Sequence, residues 1–265
     1  MLDTTQTEAH AGGRRLHHKV ILVVGATSGI GRAVAYRVAA EGAAVMLAGR
    51  RQDLGQQAVA YIENRGGRAA FVRCDATVET DVAAAVGHCI RHFGRLNGAV
   101  NNAGGVVATG PIANLRATDW EADLASNLTS VFYGLKHQLP AIHDAGGGAV
   151  INNASSAGVS AVPGLAAYSA AKHGVVGLTR SAALEWAERR VRVNAIITGN
   201  VDTPLYRELL GASPELPRED LHAPNPSNRV ADPNEIAGLI AYVLTDEASF
   251  ITGSAIAIDG GMTAQ

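Results

Sequence analysis

The segment from Ser155 to Lys172 contains three side chains that could act on a substrate oxygen. Its sequence is SSAGVSAVPGLAAYSAAK, in which Tyr168 and Lys172 stand four residues apart. On a helix that spacing places both side chains on one face, about one turn apart. A nearby ammonium favours the phenolate and should lower the tyrosine pKa from its ordinary value of about 10 towards neutrality. The segment therefore predicts an acid–base pair for carbonyl or alcohol chemistry.

Ser155 follows an apolar run, GAVINNA, which predicts a strand that ends in a loop. If the fold returns that loop to Tyr168, the serine hydroxyl can hydrogen-bond the same substrate oxygen. A tyrosine–lysine pair at this spacing is also common on exposed helix faces, so the pair alone is weak evidence. The elements around it decide between the two interpretations.

Length and composition favour one α/β domain. The chain has 265 residues, 47% of them hydrophobic and 17% charged, which suffices for a sizeable core. Its net charge of −2 gives no electrostatic case for binding nucleic acid or an anionic membrane, and no run is long enough to span a bilayer. Two cysteines, Cys74 and Cys89, are too few for a disulfide framework and suit a reducing cytoplasm. We therefore expect a cytoplasmic protein without a metal site.

Residues 1–18 are polar and lack the apolar stretch of a secretory signal. We expect them to form a flexible N-terminal extension, followed by a single domain over residues 19–265. A targeting or contact segment is the alternative interpretation. It would depend on the basic residues Arg14, Arg15, His17 and His18.

A glycine-rich turn lies between the first predicted strand, KVILVV, and the first predicted helix, RAVAYRVAAE. Its sequence is Gly25-Ala26-Thr27-Ser28-Gly29-Ile30-Gly31. Glycines at such a turn let a phosphate approach the backbone, and the helix N-terminus donates N–H groups to it. The order of elements therefore predicts a dinucleotide site. The same alternation continues along the chain and predicts a Rossmann fold, a doubly wound parallel sheet of about seven strands with helices on both faces.

The second predicted strand, AAVMLA, ends at Gly49-Arg50-Arg51, without the acidic residue that commonly binds the ribose of NAD. A guanidinium at this point can bind a 2′-phosphate in bidentate fashion. We therefore predict that NADP(H) is the preferred cofactor and that Arg50 binds its 2′-phosphate. NAD(H) stays possible, since Arg50 can instead be an exposed residue that opens the next helix.

Several motifs together resemble the short-chain dehydrogenase/reductase family. They are the spacing G-x-x-x-G-x-G, the sequence NNAG at 101–104, a serine followed by two residues and a glycine at 155–158, and YSAAK at 168–172. The resemblance extends from Lys19 to the C-terminus and is strongest to 3-oxoacyl reductases and glucose dehydrogenases. It implies a catalytic tetrad, and the matching residues are Asn127, Ser155, Tyr168 and Lys172.

The resemblance also implies which residues contact the cofactor. The glycine turn contacts the phosphates, Asp75 lies beside the adenine, and residues after the fourth and sixth strands contact the ribose and the nicotinamide. The set is Gly25, Thr27, Ser28, Gly29, Ile30, Gly31, Arg50, Asp75, Ala76, Asn102, Ala103, Gly104, Tyr168, Lys172, Gly199, Val201 and Thr203.

The implied function is reversible hydride transfer between a nicotinamide and a carbonyl or secondary alcohol. Tyr168 would exchange a proton with the substrate oxygen, Ser155 would hold that oxygen, and Lys172 would lower the tyrosine pKa and bind ribose hydroxyls. Asn127 would hold a water that links the lysine to solvent. A nicotinamide-binding protein without turnover is a further possibility, which the complete tetrad disfavours.

Two substrate classes stay open. One is a 3-oxoacyl thioester or other ketone reduced with NADPH, and the other is a sugar, steroid or other small alcohol oxidised with NAD. An acyl-carrier partner would favour a basic patch near the site, for which Arg207, Arg218 and Arg229 are candidates, although they can also be ordinary surface charge. The irregular segment 204–228 is the predicted substrate lid. The resemblance also implies a homo-oligomer, usually a tetramer.

Overall fold

The computed structural model describes residues 14–264. At its centre lies a parallel sheet of seven strands in the order β3-β2-β1-β4-β5-β6-β7. The strands are Val20–Val24 (β1), Ala44–Gly49 (β2), Arg68–Arg73 (β3), Gly98–Asn101 (β4), Gly148–Asn153 (β5), Val191–Thr198 (β6) and Ala255–Ile258 (β7). The helices are Gly29–Ala40 (α1), Gln52–Glu63 (α2), Glu79–Phe93 (α3), Ala117–Leu124 (α4), Ser130–Asp144 (α5), Ala166–Trp186 (α6), Pro204–Leu210 (α7) and Pro233–Leu244 (α8). This architecture confirms the predicted doubly wound sheet.

Both faces of the sheet are covered by helices, which is why its central strands are continuous apolar runs rather than alternating ones. In β1, Ile21 and Val23 belong to the core that includes residues of α1, α2 and α8. Val20, Leu22 and Val24 belong to the opposite core, which includes residues of α3, α5 and α6. Alternate side chains of β1 thus pack into two separate cores, one on each face of the sheet.

The strand order reverses at β1, which lies between β2 and β4. In a parallel sheet of this kind the loops on either side of the reversal diverge and leave a crevice at the carboxyl ends of the strands. The glycine turn after β1, the arginine pair after β2, the NNAG motif after β4 and Ser155 after β5 all follow carboxyl ends of this sheet. The topology therefore brings the separate sequence motifs to one edge.

A network of buried side-chain hydrogen bonds connects β4 to β5, α5 and α6 beneath that edge. Asn101 Nδ2 donates to Asn152 Oδ1 at 2.9 Å and to Gln138 Oε1 at 3.0 Å. Gln138 Nε2 donates back to Asn101 Oδ1 at 2.8 Å, and Asn152 Nδ2 donates to Thr179 Oγ1 at 2.9 Å. All four side chains are buried. The first asparagine of the NNAG motif therefore stabilises the sheet.

We expect Asn101→Ala to lower the free energy of unfolding by about 3 kcal/mol, because it leaves buried polar groups of Gln138 and Asn152 without hydrogen-bond partners. Asn64→Ala, at an exposed position after α2, is the control and is expected to change it by less than about 0.5 kcal/mol. Urea unfolding of both variants measures the difference. A loss below about 1 kcal/mol for Asn101→Ala would show that the network contributes little net stability.

The expected flexible extension over residues 1–18 is wrong for its last five residues. Leu16 is fully buried, and its N–H donates to the carbonyl oxygen of Glu41 at 2.9 Å. The Arg15 guanidinium binds the Glu41 carboxylate through two hydrogen bonds of 2.9 and 2.7 Å. One leucine among basic residues is enough to anchor this segment against the end of α1, and the polar composition conceals it. Residues 1–13 lie outside the described residues.

The segment 204–228 is more regular than its sequence suggests. Thr203 caps α7 by accepting a hydrogen bond from the N–H of Tyr206 at 3.1 Å, and Pro204 occupies the first helical position. A short 3₁₀ turn at Arg218–Asp220 leads into a small apolar cluster with Leu221 at its centre. Its role as a substrate lid stays a prediction.

Within residues 14–264, no helix is both long enough and apolar enough to cross a bilayer. The same residues contain no group of three or more histidine, cysteine or acidic side chains placed to hold a metal ion. Cys74 and Cys89 are unpaired and buried, and burial raises the pKa of each thiol to about 12. Neither cysteine is therefore a reactive thiolate.

Candidate active site

The glycine turn after β1, here called the cradle, has two positions, Gly25 and Gly31, at which a side chain would collide with neighbouring atoms. Gly25 has φ +83°, and a Cβ at this residue would lie 2.6 Å from the backbone nitrogen of Ala103. A Cβ on Gly31 would overlap the carbonyl oxygen of Gly25 and lie 2.6 Å from Asn102 Nδ2. The turn leads directly into the N-terminus of α1, where N–H groups and the helix dipole favour an anion. These residues fit the diphosphate of a nicotinamide dinucleotide.

Arg51, rather than Arg50, contacts the glycine turn. Its Nη2 donates to Thr27 Oγ1 at 2.9 Å and to Ser28 Oγ at 2.6 Å, and its Nε donates to Thr27 Oγ1 at 3.2 Å. Arg50 is exposed. The sequence alone does not single out Arg51, because two consecutive arginines follow β2 and only the path of the chain decides which one turns towards the loop.

The carboxylate of Asp75, which the resemblance places beside the adenine, is already used within its own turn. Its Oδ1 accepts hydrogen bonds from the N–H and the hydroxyl of Thr77 at 3.0 and 2.7 Å. These bonds, with a smaller contribution from the nearby Arg50, lower the Asp75 pKa. The neighbouring Ala76 is buried.

The segment after β6 lies against the glycine turn. A Cβ on Gly29 would lie 3.0 Å from Thr203 Cγ2, so Thr203 packs directly on the turn. Val201 is buried and forms a parallel bridge with Ala231. A Cβ on Gly199 would lie 2.8 Å from Asp259 Cα, so this glycine permits close contact with the chain after β7.

Asn127 joins the NNAG loop to a break in the helix. Residues Ala125–Thr129 form a π-helical turn between α4 and α5. Asn127 is fully buried, its Nδ2 donates to the Gly105 carbonyl at 2.7 Å, and its Oδ1 accepts from the Gly105 N–H at 3.0 Å. A Cβ on Gly104 would lie 2.5 Å from the same oxygen. The Asn127 amide is already paired within the protein, and the water relay stays a prediction.

The structure brings Ser155, Tyr168 and Lys172 together, as predicted from the segment that contains them. The Lys172 Nζ donates to the carbonyl oxygen of Asn153 at 2.9 Å and lies 5.5 Å from the centre of the Tyr168 ring. The Ser155 side chain lies close enough to the Tyr168 phenol to lower its pKa. Strand β5 ends just before this serine, while α6 carries the tyrosine and the lysine on one face.

The expected lowering of the tyrosine pKa is wrong for this structure. Burial raises the pKa of Tyr168, and the hydrogen bond from Ser155 opposes that rise only in part. Burial also lowers the pKa of Lys172 to about 8, which the negative charge of Asp123 partly offsets. Desolvation is the largest cause of both shifts, since Lys172 is buried and Tyr168 is half-buried, so the phenol is protonated and ready to donate.

Asn153 connects the catalytic strand to the glycine turn and was not among the predicted site residues. Its Nδ2 donates to Asn102 Oδ1 at 2.8 Å, and Asn102 Nδ2 donates to the Gly25 carbonyl at 3.2 Å. Its own carbonyl holds Lys172. The signal in the sequence is a polar residue at the end of an apolar strand.

The three arginines considered as a basic patch are each paired with an acid. Arg207 binds the Asp202 carboxylate at 2.6 and 2.9 Å, and Arg229 binds Glu235 through two bonds of 2.7 Å. Arg218 pairs with Asp232. Their charge is therefore locally neutralised, and they do not form the basic surface that an acyl-carrier partner would favour.

Comparisons with known proteins agree with this geometry. A family model described as Enoyl-(Acyl carrier protein) reductase matches residues 25–263. Cyclohexanol dehydrogenase from Acinetobacter sp. (strain SE19) is 38% identical, covering 95% of this chain and 97% of the relative. A 3beta-hydroxysteroid dehydrogenase from Mediterraneibacter gnavus is also 38% identical, covering 94% and 96%.

The fold is similar to a solved structure as well. The crystal structure of levodione reductase superposes with a TM-score of 0.89 at 35% identity, covering 94% of this chain and 99% of the other. The matches cover nearly the whole of each chain. The chain belongs to the short-chain dehydrogenase/reductase family and is an oxidoreductase that acts on CH–OH groups with a nicotinamide cofactor.

Proposed function

We propose that the chain interconverts a secondary alcohol and a ketone through the tetrad of Asn127, Ser155, Tyr168 and Lys172. The observation that carries this proposal is the half-buried Tyr168, with Ser155 close enough to lower its pKa and the Lys172 ammonium 5.5 Å from its ring centre. A proton donor and a hydroxyl that converge in one crevice can polarise a carbonyl.

The bound nicotinamide supplies or accepts the hydride, and the protein manages the proton and the substrate oxygen. In the reducing direction the Tyr168 phenol gives its proton to the carbonyl oxygen, which the Ser155 hydroxyl holds. In the oxidising direction the phenolate takes the alcohol proton. Lys172, held by the Asn153 carbonyl, stabilises that phenolate by its charge.

The cradle also suggests how the cofactor is held. Gly25 and Gly29 would hold the diphosphate together with the N-terminus of α1. Asn102, whose amide bonds the Gly25 carbonyl, supports the turn from below. The remaining contacts implied by the resemblance, including those of Asp75 and Val201, are part of the same proposal.

A ring-bearing secondary alcohol or the matching ketone is the proposed substrate class. Relatives that share more than a third of this sequence are named for cyclohexanol and for a 3beta-hydroxysteroid. The ion pairs of Arg207, Arg218 and Arg229, at or next to the predicted lid, disfavour the alternative, a carrier-bound 3-oxoacyl thioester. Steady-state kinetics on cyclohexanol, a 3β-hydroxysteroid, cyclohexanone and an acetoacetyl thioester test the proposal. Faster turnover of the thioester than of every ring compound would overturn it.

NADP(H) is the proposed preferred cofactor, with Arg51 added to Arg50 as a binder of the 2′-phosphate. No acidic residue ends β2, and two guanidinium groups follow it, one of them hydrogen-bonded to the glycine turn. A charge-assisted bond to a phosphate is worth about 1.5–3 kcal/mol.

We expect Arg51→Gln to weaken NADPH binding by about 10- to 100-fold and NADH binding by less than about threefold, because only NADPH carries the 2′-phosphate. Titration of each reduced cofactor, followed by nicotinamide fluorescence, measures both affinities. Arg50→Gln shows whether the first arginine shares the role, and Arg91→Gln on the exposed face of α3 is the control. Equal loss for both cofactors would remove Arg51 from phosphate recognition.

A cytoplasmic homo-oligomer, with the tetramer as the expected form, completes the proposal. Large apolar side chains on the surface support association, among them Phe132 of α5, Leu184 of α6 and the fully exposed Phe250. Light scattering coupled to size exclusion measures the mass in solution. A monomeric mass would overturn this part of the proposal.

A further inference from the structure

Asp123 is a buried carboxyl group to which the proposed mechanism gives no role. It lies in the last turn of α4, is 0% exposed and precedes Asn127 by four residues. Its Oδ1 accepts hydrogen bonds from Asn127 Nδ2 at 3.0 Å and from the Val107 N–H at 3.4 Å. Its Oδ2 has no hydrogen-bond partner among the described residues.

A role in packing does not explain this group. Asn127 needs one acceptor, and the backbone carbonyl of Asp123 already accepts from the same Nδ2 at 3.1 Å. An ionisable group with an unpaired buried oxygen costs folding free energy, since its desolvation is only partly repaid. Burial accordingly raises the pKa of Asp123, although the hydrogen bond from the Val107 N–H opposes the rise. A neutral residue of similar size would hold Asn127 at lower cost.

The carboxyl group lies beside the helix that carries the acid–base pair. Helix α4 packs against α6. A Cβ on Gly174 would lie 2.8 Å from Leu128 Cδ1, so α6 also approaches the π turn closely, two residues after Lys172. The negative charge of Asp123 raises the pKa of both Tyr168 and Lys172.

Few other titratable groups act at this point. Asp119 lies one turn earlier on α4 and adds to the rise in the Asp123 pKa, while its own carboxylate is paired with Arg116. The loop 102–110 that covers Asp123 contains no titratable side chain. On α6 the facing groups are Tyr168 and Lys172. The negative charge of Asp123 therefore acts mainly on Tyr168 and Lys172.

We propose that Asp123 is a positioning residue of the tetrad, which holds the Asn127 amide and supplies the buried negative charge that keeps Lys172 an ammonium. The inference rests on the proposed function. A buried lysine with a pKa of about 8 is close to losing its charge at working pH, and an uncharged lysine cannot stabilise the Tyr168 phenolate. The negative charge of Asp123 favours the protonated form of Lys172 and so opposes that loss of charge.

The pH dependence of alcohol oxidation tests the proposal with Asp123→Asn. Removing the negative charge lowers the pKa of Lys172, so the alkaline limb of kcat/KM, where the ammonium is lost, should move down by about one pH unit. Asp123→Ser also removes the charge, keeps an acceptor for Asn127 and serves if the asparagine variant is unstable. Asp119→Asn, on the same helix, is the matched control and should leave the limb in place. An unmoved limb in both Asp123 variants would overturn the proposal, since a purely structural role predicts lower kcat without a shift.

A second readout needs no turnover. Near-ultraviolet absorbance records phenolate formation in the cofactor-free protein, and subtracting the titration of Tyr168→Phe isolates Tyr168. The same subtraction in the Asp123→Asn background should give a midpoint about one pH unit lower. An equal midpoint would count against the proposal. Absence of turnover on every alcohol and ketone would instead count against the proposed function, and the absorbance titration would still decide the role of Asp123.

Discussion

Tyr168→Phe is expected to lower kcat by about 10²- to 10⁴-fold, the range that a positioned general acid or base contributes. The phenol is the proposed proton donor at the substrate oxygen, and phenylalanine removes only that hydroxyl. Ser155 cannot take over the role, because an aliphatic hydroxyl has no partner here to activate it and its oxygen already accepts the N–H of Ala157 at 3.2 Å. Lys172 points to the Asn153 carbonyl.

Binding of the reduced cofactor should be nearly unchanged in the same variant, since the cradle around the glycine turn does not involve the phenol. Stopped-flow or steady-state assays measure the loss, and nicotinamide fluorescence measures the affinity. Tyr61→Phe is the control, because Tyr61 lies on the exposed face of α2 and stacks on Tyr36. Turnover of Tyr168→Phe within about threefold of the natural enzyme would exclude Tyr168 as the acid–base group.

The sheet is predictable from the sequence because its signals are local. Runs such as KVILVV are too apolar for a half-exposed strand, and each is followed by a glycine or polar turn and a helical pattern. Once the strands are parallel, their carboxyl ends share one edge, so Ser155 and Tyr168 can be placed near each other without a structure. The full tetrad, with Asn127, depends on the resemblance to the family and not on the sheet alone.

Features that depend on which groups meet in space are not predictable in this way. Spacing on α6 places Lys172 beside Tyr168 and suggests a lowered tyrosine pKa, but it does not reveal that desolvation dominates the pKa shifts of both groups. The choice between Arg50 and Arg51 depends on the path of the chain after β2. Leu16 shows the same limit, since one anchoring side chain decides whether a polar segment packs.

Lys172→Met is expected to reduce turnover by about 10²-fold or more and, at neutral pH, to make the cofactor-free protein more stable. The reason is that the natural protein buries a charge. The pKa of Lys172 is lowered from 10.5 to about 8, which corresponds to about 3 kcal/mol of unfavourable free energy for the ammonium. Methionine removes that cost but loses the hydrogen bond to the Asn153 carbonyl, worth about 1–2 kcal/mol. The net gain should be about 1–2 kcal/mol.

The gain in stability of Lys172→Met over the natural protein should disappear as the pH rises. Between pH 8 and pH 10.5 the unfolded lysine still binds a proton that the folded lysine has released. The unfolded state then binds more protons, so the stability of the natural protein rises with pH in this window. Above it both states are neutral, the burial cost is absent, and only the lost hydrogen bond distinguishes the variant. The sign of the difference should therefore reverse.

Urea unfolding of the cofactor-free proteins at neutral pH and near pH 10.5 measures both signs. Lys136→Met is the matched control, because Lys136 is half exposed and pairs with Glu79 at the surface, so its loss should change stability by less than about 0.5 kcal/mol. Lower stability of Lys172→Met at neutral pH would mean that the ammonium is well solvated or well paired. Higher stability of Lys172→Met at neutral pH would mean that the natural protein keeps Lys172 charged at a cost in folding free energy. An ammonium required for catalysis rather than for packing explains that cost.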